Sequence, residues 1–317
     1  MAKVFNLKGK KVWVAGHNGM VGSAILRRLE SEGCETITAE RSIIDLTRQS
    51  EVEAWMAENK PDAVIVAAAK VGGIHANNTY PAEFLYDNLQ IETNVIQSSY
   101  INNVEKLLFL GSSCIYPRNT SQPIKEESLL TGSLEPTNEW YSIAKIAGIK
   151  LCQSYRQQYG CDYISAMPTN IYGPGDNFHP ENSHVPAALI SRLHDAKKNN
   201  KETVTVWGTG QPIREFLHVD DLADASIFLM KEYSHSEHIN VGTGNGITIK
   251  KFAELLKRIV VYNGELKYDF SREDGSPEKI LDVLKLNKLG WKAKISLEEG
   301  LTSYYQWYTQ NLSELRV

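Results

Sequence analysis

The sequence predicts an α/β fold, a Rossmann-like doubly wound parallel sheet with a smaller C-terminal α/β substrate domain, on three observations. Short apolar runs alternate with helix-like segments through the first half. A glycine-rich turn lies between the first run and the first helix, and turn formers cluster after about residue 173. Strands separated by helical segments at this spacing need crossover connections, which make successive strands parallel.

Taken in order, KVWVAG (11–16) is a buried strand and 20–32 has helical spacing. ETITA is a weak strand, EVEAWMAEN a helix, DAVIVAAA a strong strand and 82–102 a long helix. KLLFLGSS is the next strand, YSIAKIAGIKLCQSYRQQYG the next helix, and CDYISAMPTNIYG closes the series. Beyond it, GPGDNFHPENSH is rich in turn formers and VPAALISRLHDAKKNN is helical. TVTVWGTG, FLHV and HINVG supply short strands, and the segment from Ile247 onward mixes helices with a loop-like SREDGSPEK. The expected division is 1–173 for the first domain and 174–317 for the second, with segments of about 214–243 returning to the first.

Composition narrows the function classes. A chain of 317 residues can bury a sizeable core, and its 42% apolar and 23% charged content is that of a folded globular protein. A net charge of −4 gives no electrostatic reason for a nucleic-acid or membrane partner. Cys34, Cys114, Cys152 and Cys161 form no C-x-x-C pair, so neither a disulfide framework nor a metal site is expected. With reduced thiols, no apolar core in MAKVFNLKGKK and no run of about 18 apolar residues, a cytoplasmic protein is expected.

After the first strand comes G-H-N-G-M-V-G: Gly16, His17, Asn18, Gly19, Met20, Val21 and Gly22. The first glycine permits a tight turn, the second lets backbone approach a pyrophosphate, and the third lets helix pack on strand. Three glycines alone also fit a purely structural turn. The strand before and the helix after supply the context of a Rossmann-type dinucleotide site. Selectivity is set about 20 residues on. There Arg41 suits a ribose 2′-phosphate (NADP), Glu40 suits a 2′-hydroxyl (NAD), and both suit a solvated loop. The balance leans to NADP(H).

In E-W-Y-S-I-A-K, Tyr141 and Lys145 stand four residues apart and share a helix face. A phenol titrates near about pH 10, and an adjacent ammonium favours phenolate and lowers that value toward neutrality. G-S-S-C-I-Y-P, at a strand end, offers a serine to a substrate carbonyl beside the tyrosine. Strand alternation places Ser112 and Cys114 on one face and Ser113 on the other. Alone, Y-x-x-x-K is common on helix surfaces, and a cysteine is often a small hydrophobe.

The glycine turn, the Ser-Ser strand end and Y-x-x-x-K together resemble the extended short-chain dehydrogenase/reductase superfamily of nucleotide-sugar enzymes. Within it, GHNGMVGSAI, AAAKVGGIHANNTYPAEF, LLFLGSSCIYP, LEPTNEWYSIAKIAGIKLC, MPTNIYGPGDNFHPENSHV, VWGTGQPIREFLHVDD and HINVGTG are similar to the GDP-L-fucose synthase family. Those enzymes are GDP-4-keto-6-deoxy-D-mannose 3,5-epimerase/4-reductases, and the similarity covers nearly the whole chain in order.

The resemblance implies roles. The 4-keto group acidifies C-3 and C-5, an acid-base pair inverts both, and NADPH then reduces C-4. Tyr141 becomes the proton donor at the C-4 oxygen, Lys145 tunes it and bonds the nicotinamide ribose, and Ser112 holds the sugar oxygen, with Ser113 as fallback. Cys114 and His184 become the epimerisation base and acid. Two inversions beside a carbonyl need one group to remove a proton and another to supply one, and thiol and imidazole both titrate near neutrality.

By the same resemblance Arg192 and Arg214 contact the substrate's diphosphate, Trp207 lines its site, and Asp274 and Lys279 join them, although surface charge explains those two nearly as well. Pro168, Thr169, Asn170 and Ile171 cup the nicotinamide, with Asn170 also near substrate. Ala68, Leu110, Gly111 and His184 line the cofactor. Helices at 84–102 and 141–159 form a four-helix homodimer interface in the family. One departure stands out: the family's G-H-R-G is here G-H-N-G, with Asn18, and a second family arginine falls near Ala39. That bears on the strength of NADP preference, not on hydride chemistry. The rival expectations are another nucleotide-sugar 4-epimerase or 4-reductase using NAD and, more remotely, a non-catalytic dinucleotide-binding regulator. A 4-epimerase has no use for Cys114 and His184 as a base and acid, and a regulator has no use for Ser112, Tyr141 and Lys145.

Overall fold

The computed structural model describes residues 4–316. In chain order the first half runs β1 (Lys11–Ala15), α1 (Met20–Leu29), β2 (Glu35–Ile37), α2 (Gln49–Asn59), β3 (Ala63–Val66), α3 (Ile74–Thr79), α4 (Pro81–Ile101), β4 (Lys106–Leu110), α5 (Glu139–Tyr159) and β5 (Asp162–Pro168). The second half runs β6 (Asn170–Tyr172), α6 (Val185–Lys198), β7 (Thr203–Trp207), β8 (Ile213–His218), α7 (Val219–Glu232), β9 (Ile239–Val241), β10 (Gly246–Thr248), α8 (Ile249–Val260), β11 (Glu265–Asp269), β12 (Glu278–Lys279), α9 (Leu284–Leu289) and α10 (Leu297–Gln310).

The central sheet has the order β2-β1-β3-β4-β5-β9, and every pairing in it is parallel. Its inner strands are largely apolar because helices cover both faces, with the buried Lys106 of β4 paired to Asp162 of β5. Val12 and Val14 join Ile25, Leu108 and Leu222 on one side; Trp13 and Val64 join Val95, Phe109 and Ile149 on the other. That alternation is the two-residue period of a strand. The order reverses between β1 and β3, which opens a crevice at their carboxyl ends, the usual ligand position in such sheets. A second, four-stranded sheet is built from β6, β8, β10 and β12, while β7 pairs with β11. α6, α8 and α10 enclose a separate core there with Phe216, Phe252 and Tyr304.

Several elements differ from the sequence expectation. CDYISAMPTNIYG is not one strand: it breaks at Thr169, with β5 in the central sheet and β6 alongside β8. Thr169 is the joint, its amide donating to Val241 O and its hydroxyl to Glu215 O. SREDGSPEK is not all loop, because Glu278–Lys279 pairs with β8. The short α3 escaped notice because six residues give too little periodicity to recognise. KLLFLGSS ends as a strand at Leu110, and Ser113–Ile115 form a 3-10 turn capped by Ser112. Contrary to the strand alternation expected of them, Ser112 and Cys114 owe their directions to a turn, not to a strand face.

Candidate active site

The crevice begins at the glycine turn. Gly16 has φ +90, and a Cβ there would lie 2.6 Å from the Ala68 backbone that follows β3. A Cβ on Gly22 would lie 2.1 Å from Gly16 O. Both positions exclude any side chain, so α1 starts directly over the turn. Gly19 caps α1 with no side-chain hydrogen bond, leaving its first amides directed at the crevice. A diphosphate fits this cradle. On the opposite wall a Cβ on Gly111 would strike the Met167 sulfur, holding β4 close to β5. Pro168 and Thr169 are buried, and the Asn170 side-chain amide donates to Glu215 O.

The ribose corner differs from expectation. Asn18 Nδ2 donates to Glu40 at 2.6 Å, and His17 Nε2 lies 3.2 Å from the same carboxylate. Arg41 is 84% exposed at its side chain and pairs with Asp45 at 3.6 Å, outside the Asn18–Glu40 pair. The group poised at this corner is therefore the Glu40 carboxylate rather than the Arg41 guanidinium.

The reactive end gathers around the 3-10 turn. Ser112 Oγ accepts from the Cys114 amide at 3.3 Å. Cys114 Sγ accepts from Asn138 Nδ2 at 3.4 Å and from Lys279 Nζ at 3.8 Å. Ser142 locks this arrangement, its one hydroxyl proton shared between Cys114 O at 2.8 Å and Asn138 O at 2.9 Å. Two side-chain donors thus flank a partly exposed thiol. Cys152 is the contrast: it is fully buried, and burial pushes its thiol up to about 12. Ser113 is buried at 2% exposure, away from the crevice.

Tyr141 and Lys145 share one face of α5, with Lys145 Nζ 5.9 Å from the Tyr141 ring centre and 4.6 Å from that of Phe109. Burial pushes the Tyr141 phenol well above its ordinary value, with Cys114 and Glu92 adding to the rise and Ser112 opposing it. Burial likewise pulls Lys145 down while Glu92 pulls it up. On these groups alone desolvation outweighs the expected lowering of the phenol by lysine. His184 caps the start of α6, and desolvation pulls its imidazole below the usual value. His184 is itself exposed, at the mouth of the helix.

Arg192 stacks on Trp207 at 4.2 Å, and Arg272, which the sequence does not single out, lies over the same ring at 4.6 Å. Arg214 donates to Ile213 O and Asp274 O. It sits across from Lys279 in the β8–β12 pairing. Asp274 is committed elsewhere: its carboxylate accepts from the Thr209 amide at 2.8 Å and hydroxyl at 2.7 Å. It shapes the turn after Trp207 rather than offering a free carboxylate. Asn138 and Glu215 were also missed. Glu215, wholly buried, gathers the amides of Gly244 and Leu281, tying β8 to two loops. Nothing in N-E-W or R-E-F marks either role without the fold. Among the described residues no cluster of metal-ligating side chains occurs.

Comparison with known proteins fixes the family. The model of the NAD dependent epimerase/dehydratase family matches residues 12–242. GDP-L-fucose synthase 1 of Arabidopsis thaliana is 59% identical over 306 residues, covering 96% of this chain and 95% of that protein. The chain belongs to the GDP-L-fucose synthases of the NAD dependent epimerase/dehydratase family. It is also 54% identical to the GDP-L-fucose synthase of Escherichia coli K12 over 97% of this chain and 99% of that one. A solved GDP-L-fucose synthetase from Naegleria fowleri bound to NADP superposes with TM-score 0.91 at 25% identity, covering 100% of this chain and 99% of that one. A GDP-6-OMe-4-keto-L-xylo-heptose reductase from Campylobacter jejuni gives TM-score 0.92 at 36% identity, covering 97% of this chain and 99% of that one. No helix of the described residues is long and apolar enough to cross a membrane.

Proposed function

We propose that this enzyme converts GDP-4-keto-6-deoxy-D-mannose to GDP-L-fucose by epimerising C-3 and C-5 and then reducing C-4. The carrying observation is the thiol of Cys114 between Asn138 and Lys279, beside Ser112 and near Tyr141. A simple 4-epimerase has no use for such a base. The Gly16–Gly22 turn would hold NADPH, which would supply the hydride for C-4. Cys114 takes the protons from C-3 and C-5, with Asn138 and Lys279 stabilising the thiolate, and His184 returns protons on the opposite face. Ser112 holds the C-4 oxygen and Tyr141 protonates it, with Lys145 beside the phenol. Arg192 and Arg214 hold the diphosphate, since planar guanidinium forks match its oxygens, and Trp207 forms a wall of that site.

In this reading residues 1–173, with parts of 214–243, carry the dinucleotide and 174–317 carry the sugar nucleotide. The enzyme works in the cytoplasm as a homodimer. Support for the dimer lies on α4 and α5, which expose Tyr86, Ile101, Trp140, Ile143 and Tyr159. Tyr100 and Tyr159 stack there at 4.3 Å. The test mixes purified protein, the GDP-keto sugar and NADPH, following absorbance loss and product. GDP-L-fucose is expected. Reduction without inversion at C-3 and C-5 overturns the epimerase half, and no turnover overturns the whole reading.

A further inference from the structure

Glu92, on α4, is 1% exposed, and neither of its carboxylate oxygens has a hydrogen-bond partner among the described residues. Buried carboxylates are ordinarily hydrogen-bonded or paired, so an orphan of this kind calls for an explanation. Its setting supplies one. On α5, Gly148 follows Lys145 by three residues and so lies on the same face. A Cβ on Gly148 would lie 3.0 Å from Glu92 Cδ and 2.4 Å from the Phe109 ring edge. The missing side chain makes a notch that both groups fill. Lys145, itself 2% exposed, places its Nζ 4.6 Å from the centre of that same Phe109 ring. Phe109, Glu92 and Lys145 therefore converge on one dry notch behind Tyr141.

We propose that Glu92 is the counter-charge of Lys145, a positioning residue that holds the lysine as an ammonium beside Tyr141. The ionisable groups around the pair leave no other candidate. From α5 come Tyr141 and Cys152, both kept neutral by burial, and the only charge on Lys145 from α4 is that of Glu92. Cys114 acts on Tyr141, not on Lys145. Burial works against the Glu92 carboxylate and pushes its carboxyl up, and the neighbouring Lys145 ammonium is the largest influence drawing it back toward the charged form. The Gly148 amide also pulls Glu92 down, but it belongs to its own helix and makes no well-aligned bond to the carboxylate.

The proposal builds on the function given above only for its kinetic consequence; its structural consequence needs no substrate. Breaking one side of a buried pair strands the other charge, whereas removing both does not. Melting temperatures of Glu92→Gln, Lys145→Met and the double variant therefore form a cycle. The double variant is expected to melt above Glu92→Gln, or to fold where Glu92→Gln does not. Additive losses overturn the pairing. Kinetically, Glu92→Gln is expected to lower kcat for ketone reduction at least tenfold with KM for the sugar nucleotide unchanged. The alkaline limb of its pH profile should fall by at least one pH unit, because Lys145 then releases its proton earlier, and Glu92→Asp should restore part of both. An unchanged profile in a folded Glu92→Gln enzyme shows that the carboxyl is neutral packing and overturns the proposal. A shifted melting cycle with no turnover in the wild type would instead sink the function while leaving the pairing.

Discussion

The two ends of the crevice are built by opposite means. The proposed dinucleotide end is seven consecutive residues whose backbone would do the binding, with Gly16 and Gly22 fixed by lack of space. The proposed sugar end would be assembled from side chains on separate segments: Ser112 and Cys114 after β4, Asn138 and Tyr141 at α5, His184 at α6, and Arg214 and Lys279 on paired strands. A backbone site fails by steric intrusion and a side-chain site by lost chemistry. That difference predicts where a single substitution is fatal to binding and where it leaves binding intact.

The largest effect on binding is expected at Gly22→Ala. Its Cβ would fall 2.1 Å from Gly16 O, so the turn must open, at a cost of about 1–3 kcal/mol. Dinucleotide affinity, measured by NADPH fluorescence, should fall roughly 10- to 100-fold, while GDP affinity should not. Equal losses of both ligands would erase the distinction between the two ends. Next in size is Asn18→Arg, which places a guanidinium where Asn18 now bonds Glu40. It should raise NADPH affinity about tenfold through charge-assisted bonds to the 2′-phosphate and leave NADH affinity unchanged. Equal gains for both cofactors would show that the corner does not contact the 2′ position.

The smallest effect concerns the loop between β6 and α6. Asp176 is buried against Tyr304, whose hydroxyl donates to it at 3.1 Å, and burial pushes its carboxyl up to about 7. A folded value raised above the unfolded one means that the folded state binds the extra proton. Asp176 therefore costs stability increasingly as pH rises from about 4 to 7. Asp176→Asn should remove that slope, so its melting temperature relative to wild type should be a few degrees higher at pH 8 than at pH 5. A pH-independent difference would contradict the assignment.

The same contrast explains what the sequence disclosed. The central sheet was legible because β1, β3 and β4 are continuous apolar runs separated by helical spacing. The glycine turn was legible because its constraint is local. The break at Thr169 and the strand at Glu278–Lys279 were not, because their pairing partner is β8, more than forty residues away from each. Asn138 and Glu92 carry no local signal either: their meaning arises only when α4, α5 and the turn after β4 meet. Asp274 shows the converse, a residue marked by resemblance whose carboxylate is occupied by Thr209. Cys114 was found through its family setting, but the strand argument for its direction was replaced by a capped turn.

The central claim is that the thiol of Cys114, rather than packing, is what the turn after β4 presents to the sugar. Cys114→Ser in deuterated buffer tests it most directly, by mass and proton spectra of the recovered GDP-sugar. The account predicts that the wild type incorporates deuterium at C-3 and C-5, whereas the variant incorporates at least 100-fold less yet binds GDP and NADPH as before. Deuterium uptake by the variant at the wild-type rate would contradict it.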